Sequence, residues 1–459
     1  MYGQEHLLRW WHGLTPAERL ELLSDIEAAP WEMLSAVIRP DVQGTSYRRN
    51  AERVEPAAVF PQTPREAQAK QYERARQLGE RRLADGKVAA LTVAGGQGTR
   101  LGFDGPKGAV LVTPIGERSL FELFGKTVAA ARKIYGSKIP WYVMTSPANH
   151  AQTAEFFRQH EFFGLPLTDV TFFEQGVLPL FGQDGRALLA GKGRLAQGPD
   201  GHGGSLRALV QSGALWDMKS RGVETISYFQ VDNPLVKPFD PLFLGLHAMT
   251  GSEMSTKVAA KADDLERVGN VCLVDGRVGV VEYTEFPEAL ARAKNPDGTR
   301  RFNAANLAMH ALDIAFVERV VGRSLEMPIR RAEKAVPFID EAGVLQRPSS
   351  PNAIKLEMFI FDVLRLARNP LVLEVDRAEE FSPVKNATGP DSLETSRRDQ
   401  VRRACRWLEA AGISVPRRPD GEPDVVVAIS PSFALDAADV KAKAARVPKL
   451  RPGEATYIA

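Results

Sequence analysis

Cysteine is nearly absent. The 459 residues contain two, Cys272 and Cys405, far apart in the chain. A chain of this size with so few has no disulfide framework, so the expected compartment is a reducing cytoplasm. Their spacing is not that of a metal site, and both read as structural. An excess of charge is missing too. Lys plus Arg number 59 and Asp plus Glu 57, leaving a net charge of +2. That balance argues against a general binder of nucleic acid or membrane surface, and makes any anion site local. No segment approaches the ~18 apolar residues of a membrane-spanning helix. The start, Met1-Tyr2-Gly3-Gln4-Glu5-His6, lacks the basic stretch and apolar run of a secretion signal. Internal repeats and low-complexity tracts are also absent.

What is present is a chain long enough for two or three domains. Residues 1–85 are rich in Arg, Glu, Ala and Leu and read as a helical N-terminal region. Thr15-Pro16-Ala17-Glu18 is a helix start, and Pro64 to Asp85 reads as a long charged helix. Pro40 to Pro61 looks like an irregular connector. From Lys87 the pattern changes. Lys87–Ala94 is a short apolar run stopped by glycines, as in a buried strand. Trp141–Ser146, Val170–Gln175 and Thr225–Asp232 read as further strands. Helices are expected from Ser119, with capping-box spacing to Glu122, to about Tyr135, and at Ser205–Lys219, Asn306–Val320 and Ile354–Leu366. Two β-rich runs flank Asp275-Gly276, a hairpin signal. Alternating strands and helices predict an α/β unit over 86–385 built on a mainly parallel sheet, followed by a small C-terminal domain over 386–459.

The segment that carries chemistry is Leu91-Thr92-Val93-Ala94-Gly95-Gly96-Gln97-Gly98-Thr99-Arg100-Leu101-Gly102, followed by Pro106-Lys107. A strand runs straight into Gly95, Gly96 and Gly98. Glycines let backbone N–H groups face a ligand closely, and such a nest suits a triphosphate. Arg100 and Lys107 add positive charge where a phosphoryl transition state spreads negative charge. Two commoner phosphate loops fail on spacing. Gly125-Lys126-Thr127 has the tail of a P-loop, but position 120 is Leu. The dinucleotide fingerprint needs glycine where Leu101 stands.

The same residues resemble the signature of sugar-nucleotide pyrophosphorylases, in the form typical of eukaryotic-type UDP-N-acetylglucosamine and UDP-sugar pyrophosphorylases. Further segments resemble that family in the same order: Phe172–Pro179, Pro199–Gly204, Val231-Asp232-Asn233, Val281-Glu282-Tyr283, Phe302–Asn306 and Glu379–Ala387. The resemblance spans roughly 88–410. It implies a Rossmann-like (GT-A-like) nucleotidyltransferase fold, a mixed, mainly parallel sheet flanked by helices with the site at the strand C-terminal ends. It implies a uridylyltransferase that joins UTP to a hexose 1-phosphate by in-line attack on the α-phosphorus, releasing pyrophosphate. Mg²⁺ would bind Asp232. Arg100, Lys107 and Lys385 would serve the phosphates. Ala94, Gly95, Gly96, Gly98, Thr99, Gln175, Gly201 and His202 would line the nucleotide, with Gln175 reading the uracil edge. Gly269, Glu282 and Asn306 would hold the sugar. Asn303 and Lys355 also match family positions. The partners are UTP and the hexose 1-phosphate, with neither nucleic acid nor membrane, and family members can be monomers.

The chain departs from the N-acetylglucosamine enzymes at His202, where they carry Asn, and at Ala305, where they usually carry Gly. Both changes point toward glucose-type substrates, while the remaining motifs sit closer to the N-acetylglucosamine branch, so glucose 1-phosphate and N-acetylglucosamine 1-phosphate stand as alternatives. Arg330-Arg331 replaces a His-Val pair. Rival readings are adenylyl or guanylyl transfer on the same fold, and a non-catalytic nucleotide-binding scaffold. The presence of Arg100, Lys107, Asp232 and Lys385 speaks against the scaffold.

Overall fold

The computed structural model describes residues 2–38, 53–322 and 327–459. A mixed sheet lies at its centre. Across it run Val54–Pro56, Asn270–Val274, Ala304–Asp313, Thr225–Gln230, Val88–Val93, Trp141–Thr145 and Val170–Glu174, in that order. The last four are mutually parallel. They are near-continuous apolar runs because both faces are covered. Ala89 and Leu91 enter one core cluster, Val88 and Ala90 the other. Ala304–Asp313 is antiparallel to Thr225–Gln230 and to Met254–Ala260, and the latter carries Leu371–Glu374 in parallel beyond it. This is the expected α/β architecture.

Several local expectations hold. Thr15 and Glu18 form a complete capping box at Pro16–Ala28. Ser119 caps Leu120–Tyr135, but Glu122 does not complete the box, because its carboxylate pairs with Arg118 and Lys126. Asp275 (φ 51°) and Gly276 (φ 77°) turn the hairpin that pairs Asn270–Val274 with Arg277–Val281. The N-terminal connector expected over 40–61 falls partly on residues 40–52, outside the described residues; its end forms the edge strand Val54–Pro56.

Three expected helices are corrected. Asn306–Val320 opens as the strand Ala304–Asp313, and the helix is Ile314–Gly322. Ile354–Leu366 is the strand Ala353–Glu357 followed by a 3₁₀ stretch, Ile360–Leu366. In both, helix-forming Ala, Leu and Met are drawn into ladders by partners distant in sequence, since tertiary pairing overrides a weak local preference. Ser205–Lys219 is two helices, Ser205–Gln211 and Ala214–Ser220, parted by the left-handed Gly213.

The N-terminal helices brace the hairpin loops that lead to Asp200. Gln4 bonds Gly185 O and Ala187 N–H, Asp25 accepts from Leu195 N–H, and Trp31 meets Phe181 edge-on. The C-terminal residues pack a core of their own around Leu408, Val427 and Val440. The long helix Leu393–Ala410 ties them to the sheet side, with Arg403 donating to Leu235 O and Trp407 to Glu379. Among the described residues no helix is long and apolar enough to cross a membrane.

Candidate active site

The four parallel strands end on one edge of the sheet, and short backbone bonds gather the loops that leave them. Ala94 N–H donates to Met144 O (2.8 Å), Gln175 N–H to Thr145 O (2.8 Å) and Val231 N–H to Val93 O (3.1 Å). The glycine loop is folded on itself by Gly98 N–H to Gly105 O and Lys107 N–H to Gly96 O. It is clipped from the side by Asn149, a buried residue whose amide donates to Ala94 O (2.9 Å) and Gly96 O (3.2 Å). The two glycines at its start differ in role. A Cβ on Gly95 would stand 2.7 Å from Gln175 Oε1, whereas one on Gly96 would meet nothing of the protein. Packing therefore explains Gly95. Gly96, exposed at the loop tip, is free for something outside the protein to approach.

Lys107 Nζ lies 3.4 Å from Asp232 Oδ2, both largely buried, so the loop after the first parallel strand meets the loop after the fourth in sequence. Arg100 and Thr99 are exposed, and Arg100 has no ion-pair or hydrogen-bond partner among the described residues. Lys385 stands half-exposed, 5.6 Å above the Phe381 ring and 3.9 Å from Asp391. Its segment is pinned to the Asp232 loop. Val384 N–H donates to Asp232 O (2.8 Å), Asn233 donates to Glu380 O, and Ser382 N–H donates to Asn233 Oδ1. Among the described residues no three His, Cys, Asp or Glu side chains cluster as a metal site. Asp232 stands as a single carboxylate at a cleft beside a phosphate-type loop. That donor set fits Mg²⁺, which takes one or two carboxylates and completes its shell with phosphate oxygens and water.

On the nucleotide side, Gln175 Nε2 donates to Asp200 Oδ1 (3.2 Å) and to Gly201 O (2.8 Å). Both amide hydrogens are thus engaged by the protein. Sequence reasoning gave Gln175 a donor and an acceptor for the base edge, but only the Oε1 acceptor is left. The Gly201 N–H has no acceptor among the described residues. Two glycines make room for the Asp200 carboxylate: a Cβ on Gly176 would lie 2.6 Å from it and one on Gly204 2.1 Å. Burial pushes the Asp200 carboxyl up to about 7, opposed by the Gln175 amide and the charges of Arg207 and Lys355.

On the other side, Gly269, Glu282 and Asn306 converge. A Cβ on Gly269 would stand 3.0 Å from Glu282 Oε1 and 3.8 Å from Asn306 Cβ, and Asn306 N–H donates to Gly269 O (2.9 Å). Glu282 has no side-chain partner among the described residues; burial raises its pKa, with Arg330 opposing. His202 Nδ1 accepts from Ile360 N–H (3.2 Å), and its ring stacks on Phe359 at 5.1 Å with an interplanar angle of 1°. Burial, with Arg330 adding to it, lowers the imidazole pKa to about 4. It is neutral at pH 7, with its proton on Nε2. Asn303 is turned away, accepting from Lys261 N–H through its side chain. Lys355 pairs with Glu357 at 2.6 Å. Ala305 is fully buried in the sheet, so its methyl is not offered to a ligand. Ala305 therefore gives no contact that would point toward glucose-type substrates, and of the two departures His202 alone keeps that bearing.

A family model described as UTP–glucose-1-phosphate uridylyltransferase matches residues 45–400. The chain belongs to that family. The UDP-N-acetylhexosamine pyrophosphorylase-like protein 1 of Homo sapiens is 38% identical, over 94% of this chain and 90% of its own. The UDP-N-acetylglucosamine pyrophosphorylase of Saccharomyces cerevisiae is 35% identical, over 90% of each. The Trypanosoma brucei uridine diphosphate N-acetylglucosamine pyrophosphorylase, solved in complex with an inhibitor, superposes with a TM-score of 0.84 at 25% identity, covering 100% of this chain and 96% of that one.

Within this uridylyltransferase family member, sequence reasoning missed four positioning side chains. Asn149 follows a strand end, as cap residues often do, and that was its only signal; Asn233 was visible within Val231-Asp232-Asn233 but had no role. Asp200 was visible within Pro199–Gly204 but had no role. Arg330 was noticed only as a departure; its partners Glu285 and Asp362 lie 45 and 32 residues away, beyond any local pattern.

Proposed function

We propose that this chain transfers the uridylyl group of UTP to a hexose 1-phosphate and releases pyrophosphate. The observation that carries the reading is the convergence of three sets on one sheet edge: the glycine loop with Lys107 and Asp232, the Gln175–Asp200–Gly201 group, and the Gly269–Glu282–Asn306 group. In this reading the backbone N–H groups of Gly96, Gln97 and Thr99, none of which has an acceptor among the described residues, receive the triphosphate, with Arg100 and Lys107 against its outer phosphates. Gln175 Oε1 accepts from the uracil N3–H, and the Gly201 N–H donates to a neighbouring uracil carbonyl. That pattern matches uracil and mismatches cytosine, whose N3 carries no proton. Glu282 and Asn306 take sugar hydroxyls. Asp232 would hold Mg²⁺, which when bound supplies positive charge to the reacting phosphates. Lys385 moves toward the phosphates from its resting place beside Asp391. The sugar phosphate oxygen attacks the α-phosphorus in line, and pyrophosphate departs toward Arg100 and Lys107, whose charges stabilise it. No protein nucleophile takes part, so the gain comes from alignment and charge, with alignment worth up to about 7–11 kcal/mol.

The relatives' names make N-acetylglucosamine 1-phosphate the first substrate to try. His202 favours glucose 1-phosphate as the second, because its ring fills space beside Phe359 and offers one Nε2–H donor. Two free, buried cysteines support a reducing, cytoplasmic setting. The test follows label from the α-phosphate of UTP. It should appear in a UDP-sugar and never on the protein; label retained covalently on the chain would sink the direct-transfer reading.

A further inference from the structure

Arg330 joins three elements of the sugar side. Its Nη1 lies 2.8 Å from both carboxylate oxygens of Glu285, and its Nη2 lies 3.0 Å from Asp362 Oδ1. Its guanidinium also stands 4.9 Å from the Phe359 ring centroid and 5.7 Å from that of Phe361. Each contact leads to a site residue. Glu285 and Phe286 donate their N–H groups to Glu282 O, so holding Glu285 holds the turn that presents the Glu282 carboxylate. Phe359 stacks on His202, and the next residue, Ile360, gives His202 its hydrogen bond. Met358 bonds both Asp200 O and Gly203 N–H, which ties the same segment to the His202 loop. Arg330 is itself largely buried; burial opposes its charge, but Asp362 and Glu285 outweigh it and raise its pKa.

We infer that Arg330 is a positioning residue for the sugar half of the site, which through Glu285 and Asp362 holds Glu282 and the His202–Phe359 wall in register for the hexose ring. The claim rests on the placement of the sugar at Glu282, and names a determinant beyond the residues that touch it. A planar, always-charged fork suits two carboxylates on separate elements better than an ammonium does. Among the charged groups around Glu282, Arg330 and Lys385 favour its carboxylate, Arg330 the more strongly, and Glu285 and Asp362 disfavour it. With Arg330 gone, the larger favourable charge is lost, so Glu282 holds its proton to higher pH.

The test measures binding of UDP and of UDP-N-acetylglucosamine or UDP-glucose to the purified full chain by calorimetry. The ratio of the two affinities isolates the sugar's contribution and needs no turnover. Arg330→Met should leave UDP affinity within about twofold and cut the sugar's contribution by about tenfold or more, as small misplacements in a site do. Its loss should deepen as the pH is lowered, and Arg330→Lys should restore it in part. Where Arg330→Met does not fold, Glu285→Gln, which keeps the pair with Asp362, should show a smaller loss of the same kind. Equal loss of UDP and UDP-sugar affinity would overturn the inference, as would an unchanged ratio, or a wild type that binds UDP-sugar no better than UDP. A wild type that binds UDP-sugar with the predicted ratios yet never turns over would instead contradict the proposed transferase activity and leave this inference standing.

Discussion

Lys107 Nζ stands 3.4 Å from Asp232 Oδ2, a cation and a carboxylate brought together from two strand ends 125 residues apart. Paired, they neutralise each other. In the proposed reading, bound nucleotide frees the lysine to serve phosphate and the carboxylate to serve a metal. Removing either should therefore damage the chemical step more than the fold. Lys107→Met should lower kcat by about 10²–10³, the scale of losing one preorganised charge-stabilising group. Asp232→Asn should abolish the dependence of rate on Mg²⁺ concentration along with most of the rate. Steady-state kinetics on each variant, with thermal melting as the control, checks both.

The base side predicts a different signature. Asp200→Ala removes one of the two acceptors that hold Gln175 Nε2 and leaves only Gly201 O, so the amide turns more readily and can offer a donor. Selectivity for UTP over CTP should then fall by about tenfold, within the range set by one recognition contact. Competition between the two nucleotides measures it directly, and a UTP preference that survives unchanged would remove Gln175 from the role of base reader.

Asp200 also predicts a pH dependence of stability. Its carboxyl is pushed up to about 7 from an ordinary 3.8. The folded chain keeps this proton over a range where the unfolded chain has lost it. Stability from this group is thus greatest at the acid end and falls as the pH rises between about 4 and about 7. One group gives no more than about 1.4 kcal/mol per pH unit. Asp200→Asn does not titrate, so the stability of the wild type relative to this variant should decline across that window in denaturant unfolding. A flat difference would mean that Asp200 is ionised throughout.

The two loop glycines separate packing from binding. Gly95→Ala drives a methyl against Gln175 Oε1 at 2.7 Å and should both lower the melting temperature and raise KM for UTP. Gly96→Ala meets no protein atom within 4 Å, so its melting temperature should match the wild type while UTP affinity falls. An alanine at 96 that binds UTP normally would show that the nucleotide does not approach this backbone.

Lys257 lies fully buried between Asp240 (2.7 Å) and Glu380 (2.6 Å), and Glu380 opens the segment that carries Lys385. Lys257→Met would leave two carboxylates facing each other out of water. The expected loss is about 3–5 kcal/mol of stability, the usual result of removing one partner from a buried ion group. Chemical denaturation gives the number.

How much of this was legible in the sequence follows from how local each signal is. The glycine loop, Lys107 and the Asp275-Gly276 turn are set by neighbours in the chain, and they stand where the spacing placed them. The strand Ala304–Asp313 was read as helix because Ala-Ala-Asn-Leu-Ala-Met carries no alternation; buried on both faces, it needs none. Ala353–Glu357 does alternate, with Ile354 and Leu356 buried and Lys355 and Glu357 half-buried, but the run is short and its partner strand Arg330–Lys334 lies far upstream. At the site, the residues proposed to meet a ligand come from the family motifs. Those that hold them, such as Asn149, Asn233 and Arg330, act through contacts that only the folded chain creates. Ala305 is the opposite case: its position in a sugar motif suggested contact, and its burial denies it.

The most direct test of the account is pyrophosphate release from UTP in the presence of Mg²⁺, with N-acetylglucosamine 1-phosphate, glucose 1-phosphate and galactose 1-phosphate compared side by side. The account predicts release that requires both UTP and a hexose 1-phosphate, matched one for one by UDP-sugar, and lost in Asp232→Asn. Absence of release with all three sugars from a folded, UTP-binding protein would contradict it.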